Sequence, residues 1–373
     1  MAYLSIARCG SYERREVEQA VNKCLRELGG LERFISAGQR VLVKPNLLAA
    51  DPPEKGTDTH PEVVRAVLKE ILAIGAQPIV GDSPGLGSLS RVAEKAGIAC
   101  ICRELKVPLG TFNQEVQVRT APEGKILKSF PLVKEMTEVD AVINLPRVKT
   151  HGLTRLTGAV KNLFGCVAGL HKGELHFRLQ RADVFQEMLI DLALTVKPVL
   201  TIVDGVMAME GAGPRNGRQR FMGLILAGEN LFSVDAVIAR LVGLKPSEVP
   251  LLALAAKRGI NGIKESEIEL KGEKIEEFMI RDFEVPPSSA KIDLHVPDWV
   301  IRLFRRYLSP YPVIRENCQQ CLVCLEACPA KVIACSQGKI EIDDRHCIRC
   351  YCCQEFCPHN AIELKTSFWG RFL

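Results

Sequence analysis

RVLVKPN, residues 40–46, is a short valine- and leucine-rich run that ends abruptly on Lys44, Pro45 and Asn46. The same form, an apolar run closed by polar or turn-forming residues, recurs in QPIVGDS (77–83), DAVINLP (140–146), VLTIVDG (199–205) and GLILAGE (223–229). Continuous Val/Ile/Leu runs of this length read as strands buried on both faces. Helical patterns lie around and between them, at 13–28, 61–75, 88–97, 182–195 and 234–243. Strand-then-helix repetition predicts an α/β fold: a large N-terminal domain, residues 1–285, with a parallel sheet covered by helices on both faces. In such sheets ligands gather at the carboxyl ends of the strands. That rule draws attention to Lys44 and Asn46, to the GDSPG turn at 81–85, to Asn144–Arg147 and to Asp204-Gly205.

The chain has 373 residues, 47% hydrophobic and 25% charged, a folded composition with room for two or three domains. The opening MAYLSIARCG is interrupted by Arg8 and does not form a signal peptide. No uncharged apolar stretch approaches a bilayer-spanning length. The expectation is a cytoplasmic protein with no membrane span.

The formal charge of +5 is modest, but its distribution is not. Residues 144–181 hold seven Lys or Arg (147, 149, 155, 161, 172, 178, 181) against one acid, Glu174, a balance of +6. His151, His171 and His176 and five glycines lie in the same segment. Concentrated positive charge with hydroxyls, Asn162 and a flexible backbone suits a ligand bearing carboxylates or phosphates. The alternatives are a solvated basic face or a docking surface for an acidic partner. Only Phe164 and Phe177 offer aromatic rings here, too few for a nucleic-acid platform. The expected partner is an anionic small molecule, with Lys44, Asn46, His60, Ser83, Lys149, Lys161 and Asn162 as candidate substrate-binding residues and His151 and His176 as candidate catalytic ones. His60 follows Thr59 and Asp58, either of which is placed to cap a helix starting at Pro61. GDSPGLGS (81–88) is either a phosphate-cradling loop or a plain strand–turn–helix connection. Asp204 and Glu210 either bind a divalent cation, act in acid–base chemistry or hold a loop. Asp235 reads as structural, Cys166 as the N-terminal thiol best placed to meet a ligand, and Cys9, Cys24, Cys100 and Cys102 as small buried residues.

Ten of the fifteen cysteines fall between Cys318 and Cys357. NCQQCLVCLEACPAKVI, from Asn317, and HCIRCYCCQEFCPHNAI, from His346, repeat C-x2-C-x2-C-x3-C-P at an offset of 29 residues. Without a secretion signal this reads as metal binding rather than disulfides. The spacing is that of a bacterial-type two-cluster ferredoxin, in which the fourth cysteine of each run serves the other cluster. Two [4Fe-4S] clusters are thus expected, one on Cys318, Cys321, Cys324 and Cys357, the other on Cys347, Cys350, Cys353 and Cys328. Zinc is the competing metal for C-x2-C pairs, but it seldom uses this doubled, proline-ended spacing. Cys335 and Cys352 fall outside the pattern. The expected second domain is therefore a small α+β ferredoxin-like unit at 314–366. A linker at 286–313 precedes it, whose DWVIRLFRRYL (298–308) forms a short basic amphipathic helix, and an aromatic tail at 367–373 comes after it.

VLVKPNLL (41–48), THPEVVRAV (59–67), GDSPG (81–85), the whole of 144–176, DGVMAMEGAGP (204–214) and the two cysteine repeats together resemble an uncharacterised family. It is domain of unknown function 362, in its version with a ferredoxin tail. The resemblance implies an α/β domain and an iron–sulfur protein of the anaerobic type, with no assigned reaction. Two functions are expected on these grounds. One is an oxidoreductase that passes electrons from the clusters to an anionic molecule or second cofactor in the N-terminal domain, with a redox protein as electron donor. The other is a non-catalytic electron carrier or anion sensor whose large domain docks redox partners.

Overall fold

The computed structural model describes residues 1–112, 115–286 and 309–365. The amphipathic stretch 298–308, the rest of the linker between 287 and 308, and the aromatic segment 367–373 lie outside the described residues.

The strands of the N-terminal part are β1 (Ala2–Arg8), β2 (Arg40–Pro45), β3 (Gln77–Val80), β4 (Val116–Thr120), β5 (Ser129–Val133), β6 (Ala141–Leu145), β7 (Arg147–His151), β8 (Arg155–Thr157), β9 (Leu200–Glu210), β10 (Arg218–Gly228) and β11 (Ile268–Gly272). Its principal helices are α1 (Arg14–Glu27), α2 (Pro61–Ala73), α3 (Leu89–Lys95), α4 (Ala159–Asn162), α5 (His171–Arg178), α6 (Ala182–Val196) and α7 (Leu231–Leu241). One large sheet runs β11-β1-β10-β9-β6-β2-β3, with β7 against β9 and β8 against β7, while β4 and β5 form a separate hairpin. Most pairings are parallel, as expected of an α/β fold. β8 pairs antiparallel with β7, and β10 is the other exception. It lies antiparallel between β1 and β9, because residues 211–217 join β9 to β10 directly, and parallel strands need a crossover of a dozen residues or more.

The helices bury the faces their periodicity dictates. In α1, Val17, Ala20, Val21, Cys24 and Leu25 are inside, a stripe at three- and four-residue steps. The core between helices and sheet is made of side chains such as Leu4, Leu42, Ile143, Ile202 and Leu226, all fully buried. α2 begins as expected at Pro61, but its cap is His60, whose Nδ1 accepts from Glu62 N–H at 3.3 Å. Thr59 and Asp58 instead bind the chain that leaves β2, at Asn46 N–H and Leu48 N–H.

Pro146 redirects the chain as it leaves β6. Proline has no N–H for the ladder, and the chain sidesteps there. β7 then resumes beside the outer half of β9, pairing Arg147 with Asp204 and Lys149 with Met209. The shift carries Lys149 and His151 past the carboxyl edge of β2 and β6.

Residues 309–365 form a smaller body. β12 (Tyr311–Ile314) pairs with β15 (Ile362–Lys365), and β13 (Ile333–Ser336) with β14 (Lys339–Ile342), both antiparallel. Two one-turn helices, α8 (Val323–Ala327) and α9 (Cys352–Phe356), occupy matching positions in the two repeats. Ile333, Ile340, Ala361 and Ile362 gather with Cys324, Cys328, Cys353 and Cys357 in a separate apolar cluster.

This body is fastened to the sheet by the loop between β9 and β10. Arg215 makes a bidentate pair with Asp51, at 2.7 and 2.9 Å, and donates to the Phe356 carbonyl at 2.7 Å. Asn216 donates to the carbonyls of Gln354 and Cys357. Gly85, in the GDSPG turn, accepts the Phe356 ring: a Cβ there would fall 2.3 Å from it.

Candidate functional site

A cavity of about 660 Å³ lies between the two bodies. One wall comes from the ends of β2, β3, β6 and β7 and from α4 and α5. The other comes from α8 and α9, including Cys328, Cys352, Glu355 and Phe356. Of the substrate-binding candidates, Asn46, Ser83, Lys149, Lys161 and Asn162 line it, as do His151 and His176.

Two candidates stand elsewhere. Lys44 is wholly buried behind the wall, its Nζ 2.9 Å from Asp82 Oδ1. His60 lies on the far side of β7's first residue, capping α2 and stacked on Tyr12 at 3.6 Å between ring centroids. Burial pulls its pKa down to about 4, and a neutral capping imidazole in that position is not a ligand to the cavity.

The cavity is cationic at its inner end. Lys149 Nζ is held by Asn46 Oδ1 at 2.5 Å and the Thr57 carbonyl at 2.6 Å. Burial lowers its pKa and raises that of nearby Asp58. Lys172 Nζ donates to the Ser83 carbonyl, Ser83 Oγ and the Pro84 carbonyl. Burial draws it toward about 7, while those three acceptors favour the ammonium. Lys161 differs. Among the described residues its Nζ has no hydrogen-bond acceptor and no carboxylate within 4 Å, only the Phe164 ring at 4.9 Å. Burial lowers its pKa too.

His151 is 1% exposed and its Nδ1 accepts from Leu153 N–H at 3.0 Å. Burial, then the charge of Lys161, keeps the ring neutral. With Nδ1 an acceptor, the ring proton resides on Nε2. That atom stands 3.1 Å from Glu355 Oε1, yet without hydrogen-bond alignment, so Oε1 is a buried acceptor with no donor among the described residues. Burial pushes the Glu355 carboxyl up to about 7. His176, stacked on Phe185 at 4.4 Å and held to about 3 by burial, is a neutral wall of the same chamber.

Lys172, Glu355 and Phe356 were not singled out by the sequence. Lys172 carried a signal, since it belongs to the basic segment. Glu355 carried none, because its counterpart one repeat earlier is also a glutamate, Glu326.

The GDSPG turn lines the cavity, but its parts serve the fold. Asp82 accepts from Leu47 N–H and pairs with Lys44, and Gly85 makes room for Phe356. Asp204 accepts from Tyr12 Oη and His60 N–H. Glu210 pairs with Arg218 and accepts from Glu284 N–H. Both hold loops. Asp235 accepts from the first N–H groups of α4. Cys166 is fully buried and does not line the cavity, and Cys100 is exposed rather than buried.

The tail cysteines fall into two groups. Cys318, Cys321, Cys324 and Cys357 line one small cavity; Cys328, Cys347, Cys350 and Cys353 line another. Among the described residues no three or more His, Cys, Asp or Glu converge tightly enough to hold one metal ion. Each set instead surrounds a space rather than a point. The backbone repeats with the cysteines: Gln320, Leu322 and Lys331 have positive φ, and so do Arg349, Tyr351 and Asn360, each 29 residues on. Successive right- and left-handed residues turn N–H groups inward, a concavity that suits anionic sulfur. Val332 N–H donates to Cys328 Sγ at 3.5 Å and Ala361 N–H to Cys357 Sγ at 3.2 Å. All fifteen cysteines are free of disulfides. Four thiols around each space is the donor number and type that an iron–sulfur group takes.

Among the described residues no helix is long and apolar enough to cross a membrane. Comparison with known proteins gives several likenesses. A family model described as Domain of unknown function (DUF362) matches residues 41–240. "Thylakoid-associated protein sll1697" of Synechocystis sp. is 35% identical over 305 residues, 82% of this chain and 94% of that one. Two solved structures are similar over part of the chain. One is a Thermotoga maritima protein, 12% identical, with 60% of this chain and 57% of that one covered and a TM-score of 0.36. The other is the lactate racemase apoprotein from Thermoanaerobacterium thermosaccharolyticum, 11% identical, with 61% and 54% covered and a TM-score of 0.38. This chain thus spans little more than half of either, and neither bears on function. The family match over more than half of the sequence, together with a relative aligned along nearly its whole length, shows that the chain belongs to the family described as Domain of unknown function, DUF362.

Proposed function

We propose that this protein is a cytoplasmic iron–sulfur oxidoreductase that reduces an anionic small molecule held between its two bodies. The observation that carries this reading is that Cys328 lines the same cavity as Lys149, Lys161, Lys172 and His151. Cys318, Cys321, Cys324 and Cys357 would hold one [4Fe-4S] cluster; Cys328, Cys347, Cys350 and Cys353 would hold the second, as in a small ferredoxin-like module. When bound, such clusters supply single electrons at low potential.

The remaining work falls to this chain's side chains. Lys161, whose ammonium has no hydrogen-bond acceptor among the described residues, and Lys172 neutralise a carboxylate or phosphate. Asn46 and Asn162 add polar contacts at the same wall. The neutral His151 offers its Nε2 proton to a reduced product, and the burial that keeps it neutral also excludes competing water. Phe356 and Arg215 hold α9 against the cavity. A redox protein delivers electrons to the outer side, where Cys321 is exposed.

The test is anaerobic reoxidation. Reconstituted, reduced protein is mixed with small carboxylates and phosphate esters, and recovery of the visible iron–sulfur absorbance is monitored. At least one anion should reoxidise the protein, and Lys161→Ala and His151→Gln should slow this about tenfold or more with absorbance otherwise intact. Reoxidation by redox proteins alone, with every small anion inert, would sink the reductase reading in favour of a carrier.

A further inference from the structure

The two ends of the interdomain cavity differ in chemistry, and the difference constrains the ligand. At the inner end Lys44 is already matched by Asp82 at 2.9 Å. Lys149 is held by Asn46 Oδ1 and the Thr57 carbonyl. Lys149, Lys161 and Lys172 have no carboxylate within 4 Å among the described residues, so the chamber has room for negative charge, and of the three Lys161 has no hydrogen-bond acceptor among those residues. At the mouth the wall changes character. Leu170 is 77% exposed and Phe177 49% exposed, and both line the cavity. Seven residues apart at the start and end of α5, they share one helix face. Isolated apolar side chains on a surface need no explanation. Two on one helix face, at the rim of a chamber that also holds Lys161 and Lys172, do.

A chamber of about 660 Å³ is also far larger than a carboxylate or phosphate group. A small dicarboxylate would fill the inner end and leave Leu170 and Phe177 against water. We propose that the ligand is an amphiphile, its anionic head at Lys161 and Lys172 and its apolar body across Leu170 and Phe177. This rests on the anion-binding reading above and specifies the substrate class: a medium-chain carboxylate or a phosphate monoester with an apolar group.

Calorimetric titration of the full-length protein tests this with named probes. These are the straight-chain carboxylates from acetate to octanoate, plus inorganic phosphate and hexyl phosphate. The dissociation constant should fall about fourfold per added methylene once the chain reaches the mouth. The steeper of the carboxylate and phosphate arms identifies the head group. The double variant Leu170→Ser/Phe177→Ser, altered only at exposed positions, should flatten the series while acetate and inorganic phosphate bind as before. Lys161→Ala should weaken every probe. A flat series in the unaltered protein, with the head-only probes still bound, overturns the amphiphile and leaves the anion site standing. A rising series that the double variant does not flatten overturns it equally. Failure of every anion at every chain length removes the anion site itself.

Discussion

The two cysteine repeats have the same backbone and opposite surroundings. Both place left-handed residues at the same three offsets and both donate an N–H to the sulfur of the fourth cysteine. In the first repeat Leu322 is 43% exposed and Cys321 is on the surface. In the second, Tyr351, the counterpart of Leu322, is 3% exposed and joins the core of the α/β body. Cys352, Gln354, Glu355 and Phe356 are buried with it. The two repeats thus form equivalent cradles, and the residues of the second also make a docking face. The fourth cysteine of the exposed repeat, Cys328, reaches back to the cavity, so the buried set is completed from the outer half.

The largest expected effect separates the two sets. On the proposed two-cluster reading, which calls for about eight iron atoms per chain, replacing Cys353 or Cys321 by Ser should each remove about half of the iron. Only Cys353→Ser should also abolish reoxidation by a bound anion in chemically reduced protein. Iron analysis with stopped-flow absorbance reads both, and equal kinetic loss from the two variants would erase the distinction between inner and outer sets.

Next is the fastening. Arg215→Ala removes the bidentate pair with Asp51, which keeps only Lys55 and Thr57, and the bond to the Phe356 carbonyl, costing about 3 kcal/mol. A lowered melting temperature and faster limited proteolysis between the bodies should report it. The matched pair Tyr351→Ala and Leu322→Ala then compares equivalent positions directly. The first loses a buried ring whose hydroxyl donates to the Pro310 carbonyl, about 3 kcal/mol or more; the second, on the surface, should stay within about 0.5 kcal/mol. Similar losses in denaturant titrations would contradict the asymmetric docking.

The smallest effect concerns pH. His176 titrates near 6.5 when unfolded but is held to about 3 when folded. The unfolded chain therefore binds the extra proton first, and stability is lost as pH falls below 6.5. Between pH 6.5 and 5 the loss is about 2 kcal/mol from this residue. His176→Phe keeps the stack on Phe185 and should flatten the pH dependence by that amount. Urea unfolding at the two pH values measures it, and an unchanged slope would show that His176 is not neutral in the fold.

Much of this was legible in the chain. The apolar runs at 40–46, 77–83 and 140–146 became parallel strands because nothing but a two-sided burial explains continuous Val/Ile/Leu. The antiparallel β10 was not legible, since a buried strand looks alike in either direction; only the missing crossover between Glu210 and Arg218 betrays it. In chain order the first and last strands of the sheet, β1 and β11, also escaped the reading, because polar residues such as Ser5, Glu269 and Lys271 interrupt the apolar run that marked the others.

For the site, the sequence alone determined the eight-cysteine spacing and the basic segment around His151, because both are local patterns in which residue type and offset carry the chemistry. It did not determine that these two patterns share a cavity. That depended on Arg215 meeting Asp51 across 164 positions, on Gly85 yielding space to Phe356, and on Glu355 arriving 3.1 Å from His151. Contacts of this kind depend on how two folded surfaces fit, and no periodicity within either segment encodes that fit. Tertiary structure alone decided which cysteine set faces the chamber and that Lys161, among the described residues, has no hydrogen-bond acceptor.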